Sequence, residues 1–184
     1  MAANDLTTLV NLKQWLNITT TTDDTLLTRL ITAASSFIES YVCRDIASKS
    51  YTETRDGKGT RSLSFGDFPV TSVSFLSING IAIVPSPSPG KPGYVFSPTQ
   101  LSLIGHRFHY GFQNISFSYV AGYTTIPLDI EQAAIELCSI RYRDRDRIGQ
   151  VSKTIAGEVV AFSQKDMPAD VMTLLQAYKK VALG

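Results

Sequence analysis

The chain has 184 residues, of which 43% are hydrophobic and 18% charged, a composition typical of a globular protein long enough to bury its own core. Its 17 Lys and Arg residues nearly balance its 16 Asp and Glu residues, so the formal charge of +1 excludes a strong global attraction to nucleic acid or to an anionic membrane. No stretch approaches the roughly 20 apolar residues that span a bilayer, and the first ten residues lack a signal-peptide pattern, so we expect a protein made in the cytosol without membrane association.

Two helices are predicted within the first 49 residues. A short helix around Leu6 to Leu16 is followed by "NITTTTDDT", whose threonines and aspartates are typical helix caps. Asp23 and Asp24 favour the positive N-terminal end of a second helix. Apolar residues recur along this second helix at spacings of three and four over about 20 residues, and such a stripe must pack against a partner. The stripe consists of Leu27, Leu30, Ile31, Ala34, Phe37, Ile38 and Tyr41.

Residues 50–121 are predicted to form antiparallel strands, because apolar residues recur there with a period of two and turn residues are frequent. In "ISFSYVAG", Ile115, Phe117 and Tyr119 alternate with mostly polar residues, which indicates a strand with one apolar face. "SINGIAIV" predicts a hairpin, because Asn79-Gly80 tolerates the positive φ angles of a two-residue turn.

Two further stretches in this region indicate turns or loops. "DGKGT" at 56–60 predicts a second hairpin. It lacks the spacing of a phosphate-binding loop, so we predict no nucleotide site there. "PSPSPGKPG" at 85–93 contains four prolines and predicts a long exposed loop, with a polyproline ligand as the alternative.

A third helix is predicted to start near Pro127, with Asp129 and Glu131 in its first turn. Small and apolar residues on one face suit close packing against the second helix. These residues are Ile130, Ala133, Ala134 and Leu137.

The third helix ends in "RYRDRDR", residues 141–147, with charged side chains on all sides. Opposite charges lie three residues apart and weaken the local field; the pairs are Arg141 with Asp144, Arg143 with Asp146, and Asp144 with Arg147. Three interpretations stay open: a solvated helix end, a charged contact with another protein, or direct binding of nucleic acid. Composition alone does not decide between a solvated helix end and a charged contact with another protein.

The last segment contains a polar stretch, the sequence "EVVAF" and a final helix that Asp166 or Asp170 can cap. This helix carries an apolar stripe of Val171, Leu174, Leu175, Tyr178 and Val181, and Lys179 and Lys180 suit its C-terminal end. Two alternatives follow: the helix docks in a groove of a partner protein, or it closes the core of its own chain.

No catalytic, cofactor-binding or metal-binding residues are predicted. Cys43 and Cys138 each lie beside apolar residues in a helical pattern, so we expect two buried free thiols. His106 and His109 would share a metal only if other ligands converged on them, and we expect them in a loop or at a strand end. A small enzyme or a ligand-binding β domain with scattered site residues remains an alternative.

The predicted fold class is α+β: a small bundle of about four helices with an antiparallel β region inserted between helices two and three. We expect the N-terminal helices of the bundle at 1–49, the inserted β region at 50–121, the third helix at 122–149, and a C-terminal arm and helix at 150–184.

The order of these pieces resembles the head-to-tail connector, or adaptor, proteins of long-tailed bacteriophages and related prophages. The aspartate-led second helix carries "I-x-x-A-S-x-x-I-E-x-Y" at 31–41. The third helix opens with "G-Y-x-x-x-P-x-D-I-x-x-A" at 122–133 and has an arginine-rich end. The resemblance extends to about residue 150, and the β region is longer than in the smallest, largely helical members.

The resemblance implies a structural virion protein of the neck, synthesised in the host bacterial cytoplasm. It would form a homo-oligomeric ring, usually of twelve subunits, under the portal protein, extend the DNA channel and join the capsid to a tail-side stopper or tail protein. Genomic DNA would pass through without sequence-specific binding, and no catalysis or cofactor is expected. The alternatives are a head-tail stopper or tail terminator protein and, from another class, a nucleic-acid-binding module.

The resemblance also suggests which residues make contacts in the assembly. We expect ring or portal contacts at the arginine-rich helix end, from Arg141, Arg143, Arg145, Arg147, Asp144 and Asp146. We expect portal docking by the last helix, through Val171, Leu174, Leu175, Tyr178, Val181, Lys179 and Lys180.

Overall fold

A computed structural model describes residues 4–145, 152–155, 158–161 and 167–180. The chain forms two compact units: a helical unit from residues 1–46 and 125–184, and a β unit from residues 47–124. In chain order the described elements are α1 (Leu9–Leu16), α2 (Asp24–Val42), β1 (Lys49–Gly57), β2 (Ser62–Ser64), β3 (Val70–Ile78), β4 (Ile81–Ala82), β5 (Gly93–Phe96), β6 (Gln100–Ile104), β7 (Gly111–Ala121), α3 (Leu128–Asp144), β8 (Ser152–Ile155), β9 (Glu158–Ala161) and α4 (Ala169–Gln176). The predicted α+β class, with a β region between helices two and three, is confirmed.

The predicted pairing of the second and third helices forms the centre of the helical unit. The helices α2 and α3 pack together, and both carry buried side chains; these are Leu27, Ile31, Ala34 and Ile38 on α2, and Ile130, Ala133, Ala134 and Leu137 on α3. Leu30, Phe37 and Tyr41 are only partly buried and form the edges of the stripe. Ala133 and Ala134 on α3 are buried, and such small residues suit close packing of helices.

The first helix begins at Leu9, three residues later than predicted. The side chain of Thr8 caps it by accepting a hydrogen bond from the backbone N–H of Asn11 at 3.1 Å. Leu6 precedes the cap, is buried, and donates its backbone N–H to Ser35 Oγ on α2 at 2.9 Å. Leu6 is therefore a buried residue that fixes the chain before α1 begins, and it does not belong to a turn of that helix.

The two thiols differ in exposure, so the prediction of two buried cysteines is correct only for Cys138. Burial raises the pKa of the Cys138 thiol to about 12, although nearby Arg141 lowers this pKa slightly. Cys43 is exposed because it ends α2 in a left-handed conformation, with φ of 58°, and its side chain leaves the helical stripe.

We expect an alkylating reagent to label Cys43 and not Cys138 in the native protein at neutral pH. The reactive species is the thiolate, which an exposed thiol forms readily, whereas Cys138 is buried and its raised pKa keeps it protonated. Mass spectrometry after denaturation and full labelling should then detect both. Cys43→Ser is the control and should remove native labelling. Rapid native labelling of Cys138 would contradict its burial.

The β unit contains a four-stranded sheet, in the order β1-β7-β3-β4, and a three-stranded sheet, in the order β2-β6-β5. All pairings between these strands are antiparallel. The apolar face predicted for β7 is confirmed, because Ile115, Phe117 and Tyr119 are buried in a core that includes residues of both sheets. The predicted hairpin between β3 and β4 is also confirmed, with φ of 52° at Asn79 and 78° at Gly80.

A hydrogen-bonded group of polar side chains lies at the edge of this core. The Tyr119 hydroxyl donates to the carboxylate of Glu53 and accepts the backbone N–H of Asp67 at 3.1 Å. Burial, and then the hydrogen bond to Glu53, raise the pKa of Tyr119 well above its usual value. Glu53 also binds Arg55, whose Nε lies 2.7 Å from Glu53 Oε2. Tyr119 can therefore be buried without an unsatisfied hydroxyl.

The prediction of a hairpin at "DGKGT" is wrong. The strand before it, β1, pairs with β7, and the strand after it, β2, pairs with β6, so the stretch connects the two sheets. Glycine is needed at residue 57 because a Cβ there would lie 1.7 Å from the carbonyl oxygen of His109. The proline-rich stretch is confirmed as a mostly exposed loop between β4 and β5.

The C-terminal part contains the antiparallel pair β8–β9 and the helix α4. Among the described residues, no helix has the length and apolar character needed to cross a membrane.

Candidate assembly interface

The arginine-rich end of α3 packs against α2. The guanidinium of Arg141 lies 4.8 Å from the ring centre of Phe37 on α2. The Tyr142 hydroxyl donates a hydrogen bond to the carboxylate of Asp23, and Arg145 Nη2 lies 4.0 Å from the same carboxylate. Arg141 and Tyr142 are therefore partly buried, although the sequence places charged side chains on all sides of this helix end.

Asp23 has a different role from the predicted helix cap. It occupies the N-cap position of α2, but its side chain makes no capping hydrogen bond. Instead, its carboxylate accepts a hydrogen bond from the Tyr142 hydroxyl, which places the start of α2 beside the end of α3. Asp24 lies in the first turn of α2, where the sequence predicts a favourable position for its charge. Its carboxylate also forms an ion pair with Lys13, whose Nζ lies 2.7 Å from Asp24 Oδ1.

The other charged residues of this end are more open. Arg143 is exposed and forms no ion pair with another residue that the structure describes, whereas Asp144 is half-buried. Asp146 and Arg147 lie outside the described residues, so the pairs predicted for them stay predictions. Among the described arginines of this helix end, Arg143 is thus the best placed for a contact with another protein.

We expect that Arg143→Ser combined with Arg147→Ser weakens assembly but leaves the melting temperature nearly unchanged. Arg143 is exposed and pairs with no described residue, so its loss removes little from the folded monomer. Thermal unfolding followed by circular dichroism measures the first effect, and sedimentation with portal protein measures the second. The matched control is Arg141→Ser, which should destabilise the monomer by about 0.5–2 kcal/mol because the contact with Phe37 is lost. A large fall in melting temperature for the double variant would show that its arginines stabilise the fold.

The last helix, α4, packs within the helical unit. Val171 and Leu175 are fully buried, and α4 contacts both α3 and α2. Lys180 donates its backbone N–H to the carbonyl of Val42 at 2.9 Å, and Lys179 Nζ lies 4.8 Å from the Tyr41 ring centre. This packing corresponds to the alternative in which the last helix closes the core of its own chain.

The remaining residues predicted for docking are only partly covered. Leu174 and Tyr178 are half-buried, and Tyr178 donates a weak hydrogen bond to Asp129 at 3.4 Å. Lys179 is exposed, and Val181 lies outside the described residues. Portal docking by this helix stays a prediction, and in this arrangement it would use the outer side of α4.

An acidic groove, defined here by its lining residues, lies between α1 and the N-terminal half of α3. Its volume is about 630 Å³, and it is lined by Asn11, Gln14, Trp15, Leu128, Asp129, Glu131, Gln132 and Ile135. Trp15 is 51% exposed and Leu128 79% exposed, so the groove has an uncovered apolar surface. Neither Asp129 nor Glu131 forms an ion pair with any described residue.

A basic aromatic tip is formed at one end of the β unit by the loops 58–61 and 105–110 together with the first residues of β7. Lys58, Arg61 and Arg107 are exposed there and form no ion pairs within the described part of the chain. Two aromatic rings stand beside them: Tyr110 is 83% exposed and Phe112 is 81% exposed. Such exposed aromatic and cationic groups are typical of surfaces that bind another molecule.

Sequence reasoning missed both surfaces, for different reasons. "GHRFHYGFQ" alternates basic and aromatic residues, which is a usable signal for an exposed binding surface, whereas the prediction for this stretch concerned only His106 and His109. In the structure His106 and His109 are exposed loop residues. Among the described residues, no three His, Cys, Asp or Glu side chains are grouped so that they could hold a metal ion. The acidic groove has no local signal, because the exposure of Trp15 and Leu128 depends on how α1 and α3 pack.

Comparisons with known proteins give a family and a fold. A family model described as head completion protein matches residues 5–181. No curated protein sequence matches the chain. Among solved structures, a chain from the "neck of empty GTA particle computed with C6 symmetry" has a TM-score of 0.63 and 17% identity, with 100% of this chain and 94% of that chain covered.

Chains from the "neck of native GTA particle computed with C12 symmetry" and from the "virion of native gene transfer agent (GTA) particle" also match with a TM-score of 0.63. Their identity is 16%, with the same coverage of 100% and 94%. At this level of identity the likeness shows a shared fold, which extends over the whole chain and includes the β region between α2 and α3.

Proposed function

The chain belongs to the head completion protein family, and from this premise we propose that it forms a ring beneath the portal, extends the DNA channel and joins the capsid to the tail. Membership confirms the resemblance to head-to-tail connector proteins. The observation that carries the proposal is that the family match runs from residue 5 to residue 181 and so includes both the helical and the β unit.

A ring of twelve copies is the arrangement we favour. Chains of the same fold occur in GTA necks computed with C6 and with C12 symmetry, which supports a cyclic assembly for this chain as well. Neighbours in a cyclic ring contact each other through two different surfaces. A chain that exposes groups of opposite charge at different places can supply two such complementary surfaces.

The near-neutral charge of the chain suits a channel for DNA. Each phosphate contact adds to affinity, so a ring that presented many unpaired cations to its channel would retain the genome instead of letting it pass. With a formal charge of +1, the whole chain supplies little net attraction for DNA. The proposed role needs neither a catalytic step nor a cofactor.

Contacts with the portal are proposed for the outer surfaces of the helical unit. Arg143 on α3 and Lys179, three residues after the end of α4, are exposed cations, and α3 and α4 pack together. A portal surface with carboxylates would complement them. The tail-side partner, a stopper or tail protein, would bind the opposite face of the ring.

Omission of the protein from cells that produce its particle tests this role. We expect DNA-filled heads without tails to accumulate, because the surface to which the tail attaches is missing. Addition of the purified protein to these heads should restore tail joining in extracts, whereas the Arg143→Ser, Arg147→Ser variant should do so poorly. Normal tailed particles in the absence of the protein would contradict the proposal.

A further inference from the structure

The small net charge of the chain conceals a division between its two units. Residues 47–124 include six Lys and Arg and three Asp and Glu, which gives the β unit a formal charge of +3. The remainder of the chain includes eleven Lys and Arg and thirteen Asp and Glu, which gives −2. Two copies of the chain can therefore attract each other if the β unit of one meets the helical unit of the next.

The basic aromatic tip presents its charge and its rings on an ordered framework. The backbone N–H of Gly59 donates to Phe108 at 2.7 Å, and that of Phe108 donates to Thr60 at 2.9 Å, so the two loops of the tip are joined. Phe108 itself is fully buried and anchors the second loop in the core. A tip held in this way loses little conformational entropy when it binds a partner.

The acidic groove on the helical unit has the complementary chemistry. Leu128 and Trp15 supply apolar surface for an aromatic ring, and Asp129 and Glu131 supply carboxylates for cations beside that ring. Glu131 is held in place, because its carboxylate accepts hydrogen bonds from Asn11 Nδ2 at 2.5 Å and from Thr7 Oγ1 at 3.2 Å. These hydrogen bonds fix the position of the Glu131 carboxylate in the groove.

We propose that the basic aromatic tip of one copy docks in the acidic groove of the neighbouring copy and forms the contact that closes the ring. The ring belongs to the proposed function, on which this inference rests. Phe112 or Tyr110 would fill the apolar part of the groove, while Lys58 and Arg61 would lie near Asp129. The two surfaces differ, as a heterologous contact in a closed ring requires.

A second copy fits the tip better than DNA does. Duplex DNA would engage the cations through its phosphates but offer Tyr110 and Phe112 little apolar surface, because the faces of its bases are stacked inside the helix. The groove offers both carboxylates and uncovered apolar side chains. Aromatic and basic residues set in a desolvated pocket are also the usual centres of protein interfaces.

A charge exchange tests the contact. Lys58→Glu with Arg61→Glu should weaken ring association by about tenfold or more, because like charges then face each other. Neither side chain forms a hydrogen bond or an ion pair with a described residue, so circular dichroism should show a folded protein. Asp129→Lys alone should weaken association similarly. Combination of the three changes in one chain should restore rings, which sedimentation and negative-stain microscopy would detect.

The matched control is Lys91→Glu, which makes the same change of charge in the exposed proline-rich loop of the β unit and should leave rings intact. Rings formed normally by the Lys58→Glu, Arg61→Glu variant would overturn the docking proposal. The proposal would also be overturned if the Lys58→Glu, Arg61→Glu variant lost its rings and the addition of Asp129→Lys did not restore them. Loss of affinity for duplex DNA as the only effect of Lys58→Glu and Arg61→Glu would overturn it as well. Failure of the unaltered protein to form rings, alone or with portal, would instead remove the proposed function and this contact with it.

Discussion

Deletion of residues 168–184 is expected to leave a protein that aggregates or unfolds well below the melting temperature of the full chain. The deletion removes Val171 and Leu175, which are fully buried, and uncovers apolar surface on the helices that α4 contacts. Burial of each such side chain contributes about 1.5–3 kcal/mol, so their loss approaches the total stability of a marginal domain. Thermal unfolding followed by circular dichroism, with light scattering to detect aggregation, measures the effect.

Point variants separate the loss of packing from truncation itself. Leu175→Ala should cost about 2–5 kcal/mol as a large-to-small change in a core. Gln176→Ala, at the adjacent exposed position, should change stability by no more than about 0.5 kcal/mol. A truncated protein that stays folded but no longer binds portal would contradict the packing of α4 and support its role in docking.

Leu137→Ala should lower the free energy of unfolding by about 2–5 kcal/mol. Leu137 is 1% exposed on α3, a helix that packs against α2, so its truncation leaves a cavity in the core of the helical unit. Chemical denaturation with urea measures the change.

Leu128→Ala is the control on the same helix. Leu128 is 79% exposed, so its truncation should change monomer stability little, although it removes apolar surface from the acidic groove. Equal stability of the Leu137→Ala variant and the unaltered protein would exclude the helix pair as the core of this unit.

Features that depend on neighbouring residues could be predicted from the sequence. Asn79-Gly80 defines its hairpin through positive φ angles, and the alternation through Ile115, Phe117 and Tyr119 defines the buried face of β7. The α2 and α3 stripes also predict their own pairing, because both helices have one long apolar face and small residues at the contact.

Features that depend on distant residues could not be predicted in this way. The strand before "DGKGT" pairs with β7, about 60 residues later, and no local pattern distinguishes that arrangement from a hairpin. Cys43 follows the helical pattern of α2, but the helix ends at Val42 and the next residue turns outward. Asp23 has the chemistry of a helix cap, yet Tyr142 from α3 binds it instead.

The candidate contact surfaces also differ in whether the sequence alone predicts them. The charge of "RYRDRDR" is visible in the sequence, but the packing of Arg141 on Phe37 is not. The basic aromatic tip could have been recognised from its alternating composition. The acidic groove could not, because it requires the relative placement of α1 and α3.

Negative-stain microscopy of the purified protein, alone and mixed with portal protein, tests the central claim most directly. We predict ring-shaped particles with a central channel, and a second ring coaxial with the portal in the mixture. Particles that stay monomeric under both conditions would contradict the account.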